Sequence, residues 1–88
     1  MSWAKKVDAN QKELCDHIRS LGASVCYLHA VGGGVPDIVI GYNGKNYLCE
    51  IKTPKGKLNN LQVMWFEAWQ GQCVVIRTKE DINNILGV

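Results

Sequence analysis

Asp37, Glu50 and Lys52 interrupt two apolar, strand-like segments in the stretch GVPDIVIGYNGKNYLCEIKTPKG, residues 34–56 of this 88-residue chain. Strands that are apolar on both faces are usually buried, and a buried charge is costly unless another group pairs with it. Two carboxylates and a lysine brought together would suit a divalent metal ion bound beside a phosphate group. The relative positions of these three residues therefore decide which chemistry is open to the chain.

A hairpin turn sets those positions. Asn43-Gly44 is the strongest short-range signal for a two-residue type I′ turn, which predicts strands over residues 37–41 and 46–52. Tyr42 then faces Lys45 and paired positions sum to 87, which places residue 37 opposite residue 50. Directly opposed side chains point to the same face, with Cβ atoms about 4.5–5.5 Å apart. Residue 52, two positions further on, projects from that face as well.

The two carboxylates would repel each other in this register. At about 5 Å and an effective dielectric constant of about 20, the repulsion is on the order of 3 kcal/mol, so a cation or a shared proton must separate them. A salt-bridge cluster with Lys52 would satisfy one carboxylate and leave the other unexplained. A metal ion bound by Asp37 and Glu50 would use all three groups, with Lys52 directed at a phosphate or an attacking water.

The first part of the chain is predicted to form a helix and a strand. The helix ends at Gly22 and begins at a cap provided by Ser2 or Asp8. Its apolar positions are Trp3, Val7, Leu14, Ile18 and Leu21. Residues 24–30 read as a strand, and the Gly32-Gly33-Gly34 run that follows is either a turn or a close approach of the backbone to a ligand.

The last part is predicted to form a helix, a strand and a short helix. Asn59 can cap the second helix, with Gln62 at the capping-box position and Gly71 as the stop. Its apolar stripe is Leu61, Met64, Trp65, Ala68 and Trp69. Such a stripe indicates packing in the core or at an interface. Residues 73–77 read as a buried strand, and Thr78 can cap the last helix.

These elements predict one α/β domain over residues 1–88. Its core has the order αβββαβ, with a four-stranded mixed sheet flanked by helices and strand four parallel to strand three. A chain this short buries only about 60–65% of its unfolded surface, so a second copy would strengthen a marginal core. No apolar run reaches the ~20 residues that span a bilayer, and the N-terminus lacks a signal-peptide segment, so we expect a cytoplasmic protein without membrane contact.

Charge and cysteine content add two further expectations. The net charge of +2 does not by itself indicate nucleic acid. Four lysines nevertheless lie within thirteen residues of one another: Lys45, Lys52, Lys55 and Lys57. They could belong to an ordinary solvated loop, or they could contact phosphates. The cysteines lie singly, without C-x-x-C, and no histidine stands at zinc-ligand spacing, which predicts buried, reduced thiols at Cys15, Cys26, Cys49 and Cys73.

Several motifs resemble a known nuclease family. Pro36-Asp37, a gap of twelve residues and Glu50-Ile51-Lys52 are similar to the P-D…(D/E)-x-K motif of the restriction-endonuclease-like superfamily, whose core is αβββαβ. The longer pattern is more specific. A glutamate in helix one, then GVPDIVIG, LCEIK and GKLNNLQVMW, resembles the VRR-Nuc family of virus-type replication and repair nucleases, which also occur as stand-alone phage proteins. The similarity extends from Glu13 to about Trp69.

This resemblance implies a Mg²⁺- or Mn²⁺-dependent DNA endonuclease that uses no nucleotide cofactor. Asp37 and Glu50 match the metal-binding carboxylates of the family, and the backbone carbonyl of Ile51 matches the position that completes the coordination. Lys52 matches the motif lysine, which orients or deprotonates the attacking water and offsets charge on the scissile phosphate.

The resemblance also assigns roles near the ends of the two helices. Gln62 matches a glutamine near the metal and the DNA backbone, although it could serve only as a helix cap. Glu13 matches an acidic residue that binds metal directly or through water, although it could be an ordinary exposed helix residue. Lys55 and Lys57, beside the site, are expected to contact phosphates.

Single-domain members of the superfamily resemble Holliday junction resolvases, which act as homodimers on branched or four-way-junction DNA. The resemblance therefore implies a homodimeric, structure-specific nuclease in a bacterial or phage-infected cell. Two other classes stay open: a DNA-binding module without turnover, and a subunit of a viral or repair complex.

Overall fold

The computed structural model describes residues 8–88, which form three helices and one four-stranded sheet. The elements are α1 (Gln11–Ser20), β1 (Ser24–Tyr27), β2 (Ile38–Tyr42), β3 (Lys45–Ile51), α2 (Asn60–Ala68), β4 (Val74–Ile76) and α3 (Lys79–Leu86). This order confirms the predicted αβββαβ core and its additional last helix. Ser2, Trp3 and Val7, the residues predicted for the start of helix one, lie outside the described residues. No helix within residues 8–88 is long and apolar enough to cross a membrane.

The sheet has the strand order β1-β2-β3-β4, with β4 parallel to β3 and the other neighbours antiparallel. The β2–β3 hairpin has the predicted register, because Tyr42 pairs with Lys45 and the ladder continues to Ile38 and Cys49. Asn43 and Gly44 both adopt positive φ, at 52° and 78°, as a type I′ turn requires. The turn therefore fixes which residues share a face of the sheet.

The hydrophobic core lies on one face of the sheet, under α1 and α3. It is formed by alternate strand residues and by the inward side chains of the two helices: Ile38, Ile40, Cys49, Ile51, Ile76, Leu14, Ile18, Ile82 and Leu86. Since Ile51 belongs to this core, its neighbours in the strand point to the opposite face. Glu50 and the residue after Ile51 are thereby directed away from the aliphatic core.

The loop from β1 to β2 contains the three glycines. Strand β1 ends at Tyr27 and not at Ala30, because the chain turns there and the Val31 N–H donates to the Leu28 carbonyl. Gly32, Gly33 and Gly34 follow with φ of 74°, 67° and 84°. A Cβ on Gly34 would lie 2.5 Å from the Leu61 carbonyl oxygen. The glycine run is thus a turn whose backbone closely approaches the start of α2.

The apolar stripe predicted on the second helix is not part of the core. This stripe consists of Leu61, Met64, Trp65, Ala68 and Trp69. Leu61 is 60% exposed and Met64 is 63% exposed, while the one buried residue of α2 is Gln62. The helix ends at Ala68, where Trp69 is extended and stacks on Trp65 with ring centroids 4.8 Å apart. The helical stripe is confirmed at Leu61, Met64 and Ala68, whereas Trp69 lies beyond the helix, which ends before the predicted stop at Gly71.

Candidate metal centre

Asp37 and Glu50 lie side by side at one end of the β2–β3 hairpin. Asp37 directly precedes β2, whose first residue pairs with Cys49, so the register brings the two carboxylates together as predicted. Asp37 is 4% exposed and Glu50 is 1% exposed. The Ile51 N–H donates to Asp37 Oδ2 at 2.7 Å, which fixes the orientation of that carboxylate. Ile51 thus contributes an N–H to the site, and coordination by its carbonyl stays a prediction.

Asp8 is a third carboxylate in this cluster. Single ligand atoms of Asp8, Asp37 and Glu50 all lie within 4.8 Å of one another. Sequence reasoning considered Asp8 only as a helix cap, whereas Asn10 occupies that position without a side-chain capping bond. The Asn10 amide donates instead to the carbonyls of Lys52 and Arg77, both at 3.1 Å. These bonds tie the start of α1 to the ends of β3 and β4, which brings the preceding turn to the site.

Glu13 does not lie with these carboxylates. It is on the outer surface of α1, where its side chain is 64% exposed and its Oε1 is 3.8 Å from Lys79 Nζ. Of the two alternatives for Glu13, the structure agrees with the ordinary exposed helix residue. Among residues 8–88, the acidic residue that clusters with the carboxylate pair is Asp8, which precedes the helix.

Lys52 and Gln62 both approach Glu50. Lys52 Nζ is 3.9 Å from Glu50 Oε2, and the lysine side chain is only 13% exposed. Gln62 Nε2 donates to the same oxygen at 3.0 Å. The glutamine also completes a capping box, since its Oε1 accepts the Asn59 N–H and its own N–H donates to Asn59 Oδ1. Gln62 is thus a helix cap, as one alternative predicted, and it also contacts Glu50, while its role near a metal and the DNA backbone stays a prediction.

His29 is a neighbour of the centre that sequence reasoning considered only as a zinc ligand. Its Nε2 is 3.9 Å from Asp37 Oδ1, and this nitrogen is buried without a hydrogen-bond partner among the described residues. The position follows from the end of β1, where the Leu28 N–H donates to the Asp37 carbonyl at 2.8 Å. The imidazole is therefore a polar group at the edge of the carboxylate cluster.

The predicted lysine cluster is divided between two places. Lys55 and Lys57 are exposed in the loop that follows β3, and Lys52 precedes both of them in the chain. The Arg77 guanidinium holds this loop by donating to the carbonyls of Thr53 and Gly56, at 2.8 and 2.6 Å. Lys45 is the first residue of the seven-residue strand β3, whereas the carboxylate cluster lies at the other end of this strand, about 20 Å away. A phosphate-binding surface beside the site can therefore include the loop lysines but not Lys45.

The four cysteines, all among the described residues, are free. Cys15 and Cys49 are buried as predicted, whereas Cys26 is exposed and Cys73 is half-buried. Burial raises the pKa of Cys49 to about 12 and that of Cys73 to about 11. These two thiols stay protonated at neutral pH, and thiolate is the form that binds metals.

The chemistry of the cluster fits a hard divalent cation. Its three converging groups are carboxylates, and oxygen is the donor that Mg²⁺ and Mn²⁺ prefer. Oxygens bound to Mg²⁺ are at most about 4.2 Å apart, since each stands about 2.1 Å from the ion. The ligand atoms of the cluster lie within 4.8 Å of one another, so the three carboxylates need to move only slightly closer together to bind one ion.

Comparisons with known proteins support the fold. No family model and no curated protein matches the chain. A solved structure described as a "VRR_NUC domain" superposes on it with a TM-score of 0.68 and 19% sequence identity. The match covers 88% of this chain and 89% of that chain. The two chains are thus similar over nearly their whole lengths, with the α/β architecture that the motifs predicted. The chain therefore has the restriction-endonuclease-like fold of a VRR_NUC domain.

Proposed function

We propose that this chain is a metal-dependent DNA endonuclease that hydrolyses phosphodiester bonds. The observation that carries the proposal is the buried pair of Asp37 and Glu50, joined by Asp8 and contacted by Lys52 and Gln62. Like charges buried together are costly, so a fold retains them where a cation binds. The similarity to a VRR_NUC domain supports the same reaction class.

Asp37, Glu50 and Asp8 would hold the ion, which is Mg²⁺ or Mn²⁺. A bound ion supplies Lewis-acid activation of water and offsets the charge that develops on the phosphate. The Ile51 N–H and the Gln62 amide each hold one carboxylate in a fixed orientation, so the binding geometry is set before substrate arrives. No residue has to form a covalent intermediate in direct hydrolysis by water.

Lys52 would act on the phosphate and not on the ion. Its ammonium is close to Glu50 and mostly shielded from solvent, which strengthens its attraction to a phosphoryl oxygen. In this position it stabilises the charge of the transition state and orients the attacking water. His29 Nε2, on the Asp37 side, is a further hydrogen-bonding group next to the reacting atoms.

The DNA substrate would bind along the loop that follows β3. Lys55 and Lys57 supply two exposed positive charges, and such contacts bind the backbone without reading sequence. We further propose that the substrate is branched DNA, including four-way junctions, and that the protein acts as a homodimer so that two sites cut two strands. Both statements follow from the resemblance to resolvases.

A labelled panel of duplex, single-stranded, flap, splayed and four-way-junction DNA tests this function. We expect cleavage with Mg²⁺ or Mn²⁺, none in EDTA, and paired symmetric cuts in the junction. Metal-independent binding without cleavage of any substrate would instead favour a DNA-binding module. Absence of both DNA and metal affinity would favour a structural subunit of a larger complex.

Replacing Asp8 and Glu13 separately by their amides distinguishes the roles of the two acidic residues near helix one. We expect Asp8→Asn to weaken Mn²⁺ binding about tenfold or more and to lower the cleavage rate, because it removes one carboxylate from the cluster. Glu13→Gln, the matched control on the exposed side of α1, should change both quantities less than about twofold. Calorimetric titration and single-turnover cleavage measure these effects. Equal losses in the two variants would contradict the assignment of Asp8.

A further inference from the structure

His29 carries a buried ring nitrogen that has no partner within residues 8–88. The side chain as a whole is 26% exposed, yet its Nε2 is shielded from solvent and makes no hydrogen bond among these residues. Buried polar atoms of folded proteins are nearly always hydrogen-bonded, so an exception calls for a physical explanation. This nitrogen is 3.9 Å from Asp37 Oδ1, which is too far for a hydrogen bond. It therefore faces a carboxylate of the proposed metal site without bonding to it.

Contacts on both sides of His29 hold the imidazole beside Asp37. The N–H of Leu28, the preceding residue, donates to the Asp37 carbonyl at 2.8 Å. The imidazole also lies against the ring of Tyr27, with centroids 5.7 Å apart. Tyr27 is itself held by Arg19, whose guanidinium donates to the tyrosine hydroxyl at 3.0 Å. The position of the ring nitrogen is thus set by the protein, as a binding site requires.

The two carboxylate oxygens of Asp37 face different groups. Oδ2 accepts the Ile51 N–H at 2.7 Å, and Oδ1 is the oxygen on the His29 side. Two ligand atoms that each stand about 2.1 Å from one ion are at most about 4.2 Å apart. The separation of 3.9 Å between Asp37 Oδ1 and His29 Nε2 lies within this limit. One ion can therefore be bound by both atoms.

We infer that His29 is a nitrogen ligand of the metal ion, in addition to the carboxylates of Asp8, Asp37 and Glu50. The inference rests on the proposed metal-dependent function and concerns the ion that this site selects. Mg²⁺ takes oxygen ligands, whereas the neutral imidazole nitrogen of histidine binds first-row transition ions. A ligand set of three carboxylates and one imidazole therefore favours Mn²⁺ over Mg²⁺.

His17, the other histidine of the chain, provides a matched control. Its Nε2 is 2.8 Å from Asn83 Oδ1, so this nitrogen already has a hydrogen-bond partner. It belongs to the contact between α1 and α3, and none of the carboxylates of the cluster pairs with it among the described residues. Replacing His17 should therefore leave metal binding as it is in wild type.

Pulsed EPR of Mn²⁺ bound to the full chain, with ¹⁵N in histidine alone, tests the inference directly. We expect a hyperfine coupling between Mn²⁺ and ¹⁵N in wild type and in His17→Gln, and none in His29→Gln. Mn²⁺ that binds to wild type without this coupling would overturn the inference and leave the carboxylate site intact. A wild type that binds no Mn²⁺ would overturn the metal site as well, so the two failures are distinguishable.

Calorimetric titration with Mn²⁺ and with Mg²⁺ measures the selectivity. Gln offers an amide oxygen in place of the ring nitrogen, so His29→Gln should lower Mn²⁺ affinity about tenfold or more and change Mg²⁺ affinity less than about threefold. The ratio of the two affinities should be the same in His17→Gln as in wild type. Circular dichroism verifies folding of both variants, and the EPR result on wild type does not depend on them. An unchanged ratio in folded His29→Gln would overturn the inference.

Discussion

Replacing Asp37 by Asn is expected to lower DNA cleavage at least about 10³-fold, equivalent to about 4 kcal/mol of transition-state stabilisation. Asn keeps the shape of Asp and an acceptor for the Ile51 N–H, so the chain should stay folded. It removes one of the two buried carboxylate charges that must bind the ion. Single-turnover cleavage in Mg²⁺ and in Mn²⁺ measures the loss.

Thermal unfolding shows whether the same substitution acts through metal binding. In EDTA, the free energy of unfolding of Asp37→Asn should equal or exceed that of wild type, because a charge that repels Glu50 is gone. At a Mn²⁺ concentration of about 100 times Kd, wild type should gain about 2.7 kcal/mol. For a domain of this size that gain raises Tm by roughly 10–20 °C. The variant should gain little, and a wild-type cleavage rate in it would refute the site assignment.

Replacing Lys52 by Met is expected to lower the cleavage rate about 10²–10³-fold, since it removes a preorganised positive charge from the phosphate site. Met retains most of the aliphatic length of the lysine side chain, which is mostly buried. Mn²⁺ affinity should be unchanged or higher, because the lost ammonium lies 3.9 Å from Glu50 Oε2 and competes with a cation there.

The two measured quantities distinguish the roles open to Lys52. Loss of turnover with retained Mn²⁺ binding means that the ammonium acts on the reacting phosphate. A fall of tenfold or more in Mn²⁺ affinity would mean that Lys52 organises the carboxylates instead. Lys55→Met is a suitable control, because Lys55 is exposed in the adjoining loop and should affect DNA affinity and its salt dependence more than the rate of bound substrate.

The pairing of Asp37 and Glu50 could be predicted from sequence because one local signal determines it. Asn43-Gly44 fixes the turn, and the turn fixes the register of the hairpin. Because side chains alternate between the faces of a strand, this register places both carboxylates on the same face of the sheet. The capping box at Asn59 and Gln62 is local in the same way, since both partners lie within four residues. Each of these predictions needed no knowledge of how distant segments pack.

Asp8 and His29 could not be assigned to the site by such reasoning. Asp8 reaches it because Asn10 bonds to carbonyls 42 and 67 residues further along the chain. His29 reaches it because β1 pairs with β2 beyond a glycine turn. Helical spacing likewise predicted an apolar stripe on α2, but spacing alone does not tell whether the chain itself or another copy covers it.

Calorimetric titration of Mn²⁺ into wild type and into Asp37→Asn tests the central claim, that the carboxylate cluster is a divalent metal site. The predicted result is saturable binding to wild type, loss of that binding in Asp37→Asn, and competition by Mg²⁺. Failure of wild type to bind Mn²⁺ at millimolar concentration, or equal binding to both proteins, would contradict the metal site and the hydrolytic function built on it.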